Sequence, residues 1–191
     1  MVRFRHLSFL LYPPAPVAAT AAQLLRAPFL DGAGGRSAPM SEDRLHVTLH
    51  QVGRFADGVP PEELDRALAV GAAMTDEPFD VVFDRLRSGT RTGPLVVDGS
   101  GPAVRKLRDF QRYLRDTMRR MGFAADKIRP SFSPHMTLDY AHQPVAEQSI
   151  TPIAWRVTQF LLVASHYGEG RHEVLERWPL TARQLELFSD G

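Results

Sequence analysis

A tetrapeptide of the form His-x-Thr-Leu occurs twice in the chain, as His46-Val47-Thr48-Leu49 and as His135-Met136-Thr137-Leu138. Around the first copy, residues 44–52 are predicted to form a half-buried β-strand, because polar and apolar side chains alternate from Arg44 to His50. Successive side chains of a strand point to opposite faces, so each copy presents a histidine and a threonine side by side. The repeat therefore predicts two equivalent strands that each expose an imidazole and a hydroxyl.

The other segments predict an α+β fold. Apolar periodicity and turn residues indicate further strands at 3–12, 79–86, 95–97, 157–165 and 173–178, and helices near 16–27, 60–74 and 102–121. The longest helix has an apolar stripe that ends at Met121, and Gly122 is placed to terminate it. Strands and helices in this mixed order favour α+β over a wound parallel sheet, and the absence of a linker predicts one domain over residues 1–191.

The composition excludes several kinds of site. There is no cysteine, so disulfides, thiolate nucleophiles and cysteine-containing zinc sites are excluded. The formal net charge is only +1, so attraction to phosphate must come from a local patch. Clusters of carboxylates and histidines with metal-ligand spacing are not evident, and we expect neither a metal nor a cofactor.

The N-terminus loosely resembles a signal peptide, because Arg3 and Arg5 precede an apolar stretch. Prolines at 13, 14 and 16 interrupt that stretch, and its alternation is typical of a strand. No apolar run approaches the roughly 20 residues of a membrane-spanning helix. We therefore expect a cytoplasmic protein without membrane contact, and no protein partner can be inferred.

Two facing His-x-Thr strands would supply what the cleavage of a phosphodiester needs when no metal takes part. A neutral imidazole can take a proton from the attacking oxygen, and a protonated one can give a proton to the leaving oxygen. Threonine hydroxyls can donate hydrogen bonds to the non-bridging oxygens as negative charge builds on them. The paired motifs thus indicate acid–base chemistry at phosphorus.

The sequence resembles the two-histidine (2H) phosphoesterases, specifically the bacterial and archaeal 2′-5′ RNA ligase and RNA 2′,3′-cyclic phosphodiesterase group. Besides the motifs, the resemblance rests on the lead-in to the second motif, residues 129–135, and on the closing segment, which includes Gly170-Arg171 and Arg177-Trp178-Pro179-Leu180. It implies a bilobed fold with a pseudo-twofold axis, antiparallel sheets flanked by helices, and one motif strand from each lobe lining a central cleft.

The resemblance also implies roles for the motif residues. His46 would be the general acid, His135 the general base, and Thr48 and Thr137 would bind the phosphate. The reaction would open RNA 2′,3′-cyclic phosphates to 2′-phosphates, with reversible ATP-independent 2′-5′ ligation. The sequence departs from the family at Asp139-Tyr140, where many members have a small residue followed by arginine; this leaves the substrate open.

Four further residues are candidates for substrate contact. Phe132 is suited to stacking on a base, although a role in the core is equally compatible with its position. Arg129 could bind a phosphate or form a salt bridge. His50 shares the face of His46 in the alternating pattern and is expected at the mouth of the cleft, and Tyr140 follows the second motif.

The sequence leaves other substrates and a function without catalysis open. The same chemistry would serve cyclic mononucleotides, ADP-ribose cyclic phosphate or 2′-5′ oligoadenylates, and a binding protein without activity could keep the cleft.

Near the C-terminus, His166 and His172 flank a turn and are expected to be solvated.

Overall fold

The computed structural model describes residues 4–26, 38–56, 58–88, 93–140, 144–166 and 168–181. Within these ranges the chain forms three α-helices and eight strands. The helices are α1 (Ala15–Gln23), α2 (Pro61–Ala72) and α3 (Arg105–Arg120). The strands are β1 (Phe4–Leu11), β2 (Val47–Ala56), β3 (Phe79–Ser88), β4 (Leu95–Asp98), β5 (His135–Asp139), β6 (Gln148–Val157), β7 (Gln159–His166) and β8 (Arg171–Pro179).

The strands form one antiparallel sheet in the order β6-β3-β4-β5-β2-β1-β7-β8. The two strands that carry the motifs, β5 and β2, are central, and a single residue pair, Val47 with Met136, joins them. The sheet therefore consists of two four-stranded halves, each with its motif strand innermost. This arrangement confirms the α+β fold and the prediction of one motif strand from each half.

One face of the sheet is covered by helices and carries the apolar core. In α3 the buried side chains recur at helical spacing, and the ring of Phe110 lies 5.4 Å from those of Phe79 and Phe160, which come from opposite halves of the sheet. Helix α2 packs closely on β8, because a Cβ on Gly71 would lie 2.3 Å from the ring of Trp178. The open face of the sheet is left for the site.

The end of α3 differs slightly from expectation. Gly122 adopts a φ of 80°, which confirms it as the residue that terminates the helix. Met121, which was expected in the apolar stripe, is exposed instead. It lies beyond the last helical residue, so it no longer follows the helical periodicity.

Strand β6 was not predicted from the sequence. It pairs with β3 along most of its length and buries Ile153, Trp155 and Val157 at alternate positions. Pro152 and the polar residues before it obscure this alternation, and as an edge strand β6 tolerates proline. In the part of the chain that the structure describes, no helix is both long and apolar enough to cross a membrane.

Candidate active site

The pairing of β2 with β5 brings the two motifs face to face. Val47 and Met136 are partners in this antiparallel pair, and both are 0% exposed because they point into the core. The residues on either side of them point to the open face of the sheet. Since the strands are antiparallel, each histidine lies opposite the threonine of the other motif: His46 opposite Thr137, and His135 opposite Thr48.

The two histidines are held in the same way. The Nδ1–H of His46 donates to the carbonyl oxygen of Arg44 at 2.6 Å, and that of His135 donates to the carbonyl oxygen of Ser133 at 2.8 Å. In both cases the acceptor is two residues before the histidine. Each bond fixes the orientation of the ring and leaves Nε2 available for proton transfer.

The surroundings of His46 favour its neutral form. Burial is the largest effect and lowers the pKa of this histidine below its usual value, while the hydrogen bond to the carbonyl of Arg44 partly opposes that shift. The positive charges of Arg44 and His135 lower the pKa further. Because the charge of His135 reaches His46, the two imidazoles act within one electrostatic environment.

A cavity of about 710 Å³ opens on the His46 side of the sheet. The residues that line it include Arg44, His46, Thr48, Gln51, Tyr140 and His172. A smaller cavity of about 200 Å³ lies beside His135 and is lined by Arg87, Pro94, Val96, Ser133 and His135. Together they give His46, Thr48 and His135 access to solvent from both halves of the sheet.

His50 does not lie at the mouth of the cleft, so that prediction is wrong. It is 2% exposed, and its Nε2–H donates to the carbonyl oxygen of Lys127 at 3.0 Å. The register of β1 against β2 shifts between Phe9 and Leu10, where Leu49 is left without a partner. This β-bulge turns His50 to the core side and puts Gln51 on the cleft side instead.

The other substrate-contact candidates have different positions. Tyr140 is 56% exposed and lines the larger cavity together with His46. Arg129 donates to the side-chain oxygen of Gln51 at 2.9 Å, which places it at the rim of that cavity. Phe132 is half-buried against the main apolar core. The structure therefore brings Tyr140 and Arg129 close to the motifs and gives Phe132 a packing role.

Three rings that the sequence did not connect form a cluster beside the first motif. The rings of His46 and His172 are 5.2 Å apart with an edge-to-face orientation, and that of Tyr12 lies 6.0 Å from His46. The hydroxyl of Tyr12 is 2.6 Å from Nδ1 of His172. Tyr12 continues the alternation of β1 and therefore faces the open side of the sheet. This alternation is the one sequence signal that could have predicted the cluster.

The expected pair of solvated histidines near the C-terminus is not found. His172 belongs to the ring cluster, and its pKa is lowered to about 4 by burial, with contributions from the charges of His46 and Arg44. His166 is buried among Arg5, Arg171 and Glu173, all of which it contacts through its ring nitrogens. The prediction was wrong for both histidines, because the sequence of the turn does not reveal the register of β7 against β8.

The side chains that surround the motifs are not grouped as metal ligands. Among the described residues, no set of three or more histidine, aspartate or glutamate side chains is arranged to bind a metal ion. The functional groups that the two motif strands bring together are two imidazoles and two hydroxyls, with arginines nearby. Such a set can donate and accept protons and can hydrogen-bond to an anion.

Comparison with solved structures shows the same fold over almost the whole chain. E. coli LigT is 25% identical, with a TM-score of 0.72, and the match covers 94% of this chain and 99% of LigT. A structure described as a phosphoesterase is 28% identical, with a TM-score of 0.71 and coverage of 93% and 99%. TT0787 of Thermus thermophilus shares the fold at 23% identity and a TM-score of 0.74, with coverage of 93% and 99%.

No curated protein matches the chain at the sequence level. The family model of the 2′-5′ RNA ligase superfamily matches residues 13–169, a range that includes both motifs and most of the sheet. Since this range is well over half of the 191 residues, the chain belongs to the 2′-5′ RNA ligase superfamily, a group of two-histidine phosphoesterases.

Proposed function

We propose that the protein opens RNA 2′,3′-cyclic phosphates to 2′-phosphates by acid–base catalysis with two histidines and without a metal. The observation that carries this proposal is the antiparallel register, which faces two identical His–Thr pairs across one site. Both imidazoles are anchored through Nδ1 to a backbone carbonyl, so both offer Nε2 to a group bound between them. This symmetry suits a reaction in which one proton is removed while another is supplied.

In the proposed mechanism, Nε2 of His135 takes a proton from a water molecule. The water oxygen attacks phosphorus, and the bond between phosphorus and the 3′-oxygen breaks. His46 gives its proton to that oxygen, which leaves a 3′-hydroxyl and a 2′-phosphate. The hydroxyls of Thr48 and Thr137 donate to the non-bridging oxygens, where negative charge increases in the transition state.

The lowered pKa of His46 is compatible with a role as acid once substrate is bound. In the free protein, burial keeps this imidazole neutral at pH 7. A phosphodiester held between the motifs adds a negative charge beside the ring, which favours its protonated form. Binding of the substrate therefore favours the protonated form of His46, which is the form that a general acid needs.

The relatives support nucleotides as the substrate class. E. coli LigT has been solved with 3′-AMP and with ATP. The larger cavity, at about 710 Å³, lies within the range of sites that hold nucleotide-sized ligands. Cyclic mononucleotides, ADP-ribose cyclic phosphate and 2′-5′ oligoadenylates are therefore the alternative substrates, and binding of RNA or nucleotides without turnover is the alternative of another class.

The test is turnover of a short RNA that ends in a 2′,3′-cyclic phosphate, with EDTA present. We expect His46→Ala and His135→Ala each to lower kcat by about 10²- to 10⁴-fold, the usual contribution of a general acid or base. Activity within a few fold of wild type in either variant would contradict the mechanism, as would complete loss of wild-type activity in EDTA. A parallel assay with a cyclic mononucleotide separates the substrate alternatives.

The threonines allow a matched comparison. Thr48→Ala and Thr137→Ala should each lower kcat by roughly tenfold or more, because each removes a hydrogen bond to a charged oxygen. Thr151→Ala, at an exposed position on β6, is the control and should retain full activity. An equal effect of all three substitutions would exclude a role of the motif threonines in phosphate binding.

A further inference from the structure

A cluster of charged residues lies beside the second motif and has no part in the mechanism above. Asp98, at the end of β4, is only 2% exposed although it carries a carboxylate. Its Oδ2 accepts from Nε of Arg87 at 2.7 Å, and its Oδ1 lies 3.0 Å from Nη2 of Arg85. Burying a carboxylate is costly unless partners compensate its charge. The two arginines beside Asp98 are therefore part of the structure that keeps this carboxylate buried.

The register of the sheet directs this cluster towards the site. Asp98 is the partner of His135 across β4 and β5, and Arg87 is the partner of Val96, which in turn pairs with Thr137. These side chains lie on the same open face as the motifs. Arg87 and His135 also line the same cavity of about 200 Å³.

The two arginines differ in what remains available to a ligand. Arg85 contacts Asp98 and, through Nη1, also Glu147 at 3.4 Å. Arg87 uses Nε for Asp98, and within the described ranges its two Nη groups have no protein acceptor. Asp98 therefore fixes the guanidinium of Arg87 while leaving the two terminal nitrogens, which suit phosphate oxygens, free to bind a ligand.

The position of the guanidinium determines which phosphate it could reach. The reacting phosphate of the proposed function lies between β2 and β5, and Asp98 holds the guanidinium above β4. The regular spacing of strands in a β-sheet puts this separation at one and a half strand spacings, about 7 Å. It is too long for a direct bond to the reacting phosphate and fits a second phosphate one nucleotide away, on the side of His135.

We infer that Arg87 binds the 3′-phosphate of the nucleotide whose 5′-oxygen faces His135. This inference rests on the proposed function and specifies its substrate: an RNA with 2′-5′-linked nucleotides extending past His135. In cleavage of such a linkage, His46 takes the proton of the 3′-hydroxyl, whose oxygen forms a bond to phosphorus. The bond from phosphorus to the 5′-oxygen breaks, and His135 protonates that oxygen. The products are a 2′,3′-cyclic phosphate and a 5′-hydroxyl, and the reverse reaction is ligation.

The test compares two dinucleotides of adenosine with a 2′-5′ linkage, one with and one without a phosphate on the 3′-hydroxyl of its second nucleoside. The wild-type protein should cleave the phosphorylated one with about tenfold higher kcat/KM, since one charge-assisted contact is gained. In Arg87→Gln this ratio should fall close to one. The control Arg156→Gln, which removes an exposed arginine at the edge strand β6, should keep the ratio.

The ratio is measured within one protein, so a partly unfolded variant does not alter it. Equal cleavage of both dinucleotides by the wild type, or an unchanged ratio in Arg87→Gln, overturns the role of Arg87. Opening of a terminal cyclic phosphate without cleavage of either dinucleotide also overturns it, and leaves the proposed function intact. Failure of the wild type to open any cyclic phosphate contradicts the proposed function itself.

Discussion

At the scale of single residues, the environment of His46 makes a measurable prediction. Burial and the charge of His135 both lower the pKa of His46, so its ring should titrate below 6.5 in the free protein. Addition of a non-hydrolysable phosphodiester should raise that pKa, because the ligand brings a negative charge to Nε2. Histidine ring nitrogen shifts measured by NMR against pH report both values. A free-state pKa at or above 6.5 would contradict the prediction.

The same titration tests whether the two imidazoles share one site. In His135→Ala the repulsion from a neighbouring positive charge is gone, so the pKa of His46 should rise slightly, while burial still holds it below its usual value. His172 is the internal comparison, because burial is the largest cause of its pKa of about 4, and the charge of His46, but not that of His135, is among the further causes. An unchanged His46 together with a shifted His172 would show that the substitution had rearranged the ring cluster instead.

At the scale of elements, the sequence predicted what depends on regular periodicity. The alternation that begins at His46 holds through Thr48, and it correctly placed both motifs on one face of the sheet. It fails at His50, where β2 has a bulge: the adjacent polar residues His50 and Gln51 interrupt the alternation, but the sequence alone does not show which of the two faces the core. Strand β6 was missed for a related reason: an edge strand is half exposed, so its apolar residues are few and interrupted.

Asp139 provides a prediction about how the segment before β2 is attached. It is fully buried, and its Oδ1 accepts from the backbone N–H of Ala38 at 2.9 Å, next to the bridge between Pro39 and β5. Asp139→Ala would leave that N–H without its acceptor and should lower the free energy of unfolding by about 1–3 kcal/mol. Urea denaturation measures this change.

Two further variants make the assignment specific. Asp139→Asn keeps an oxygen that can accept from Ala38 and should recover much of the lost stability. Asp65→Ala, on the exposed side of α2, should change the free energy of unfolding by no more than about 0.5 kcal/mol. If Asp139→Ala is no more destabilising than this control, the aspartate does not hold the segment to β5.

At the scale of the whole molecule, the site lies where the two halves of the sheet are joined by the fewest backbone pairs. The two halves of the sheet meet through one residue pair, while the core beneath them is continuous. A net charge of only +1 does not attract nucleic acid by itself, so recognition depends on where the arginines are held. Arg87 in one half and Arg44 in the other lie next to opposite motifs, which puts positive charge on both sides of the cleft.

Four histidines with lowered pKa values also predict how stability depends on pH. The pKa values of His6, His46, His50 and His172 are all lowered, with burial as the largest cause in each. Below pH 6.5 these side chains bind protons in the unfolded chain before they do so in the folded protein, so the free energy of unfolding should fall as pH falls. The loss should begin near pH 6.5 and continue towards pH 4, where His172 also becomes protonated in the folded state.

His50 allows the contribution of one side chain to be isolated. Its Nδ1 is buried and has no partner among the described residues, so a proton there would be left without an acceptor. Each proton taken up on unfolding gives a slope of about 1.4 kcal/mol per pH unit. His50→Gln keeps a donor for the carbonyl of Lys127 and cannot titrate, so between pH 6 and 5 its slope should be smaller than that of wild type by up to this amount. Urea unfolding at a series of pH values measures both slopes, and equal slopes would show that His50 is protonated as readily in the folded protein as in the unfolded chain.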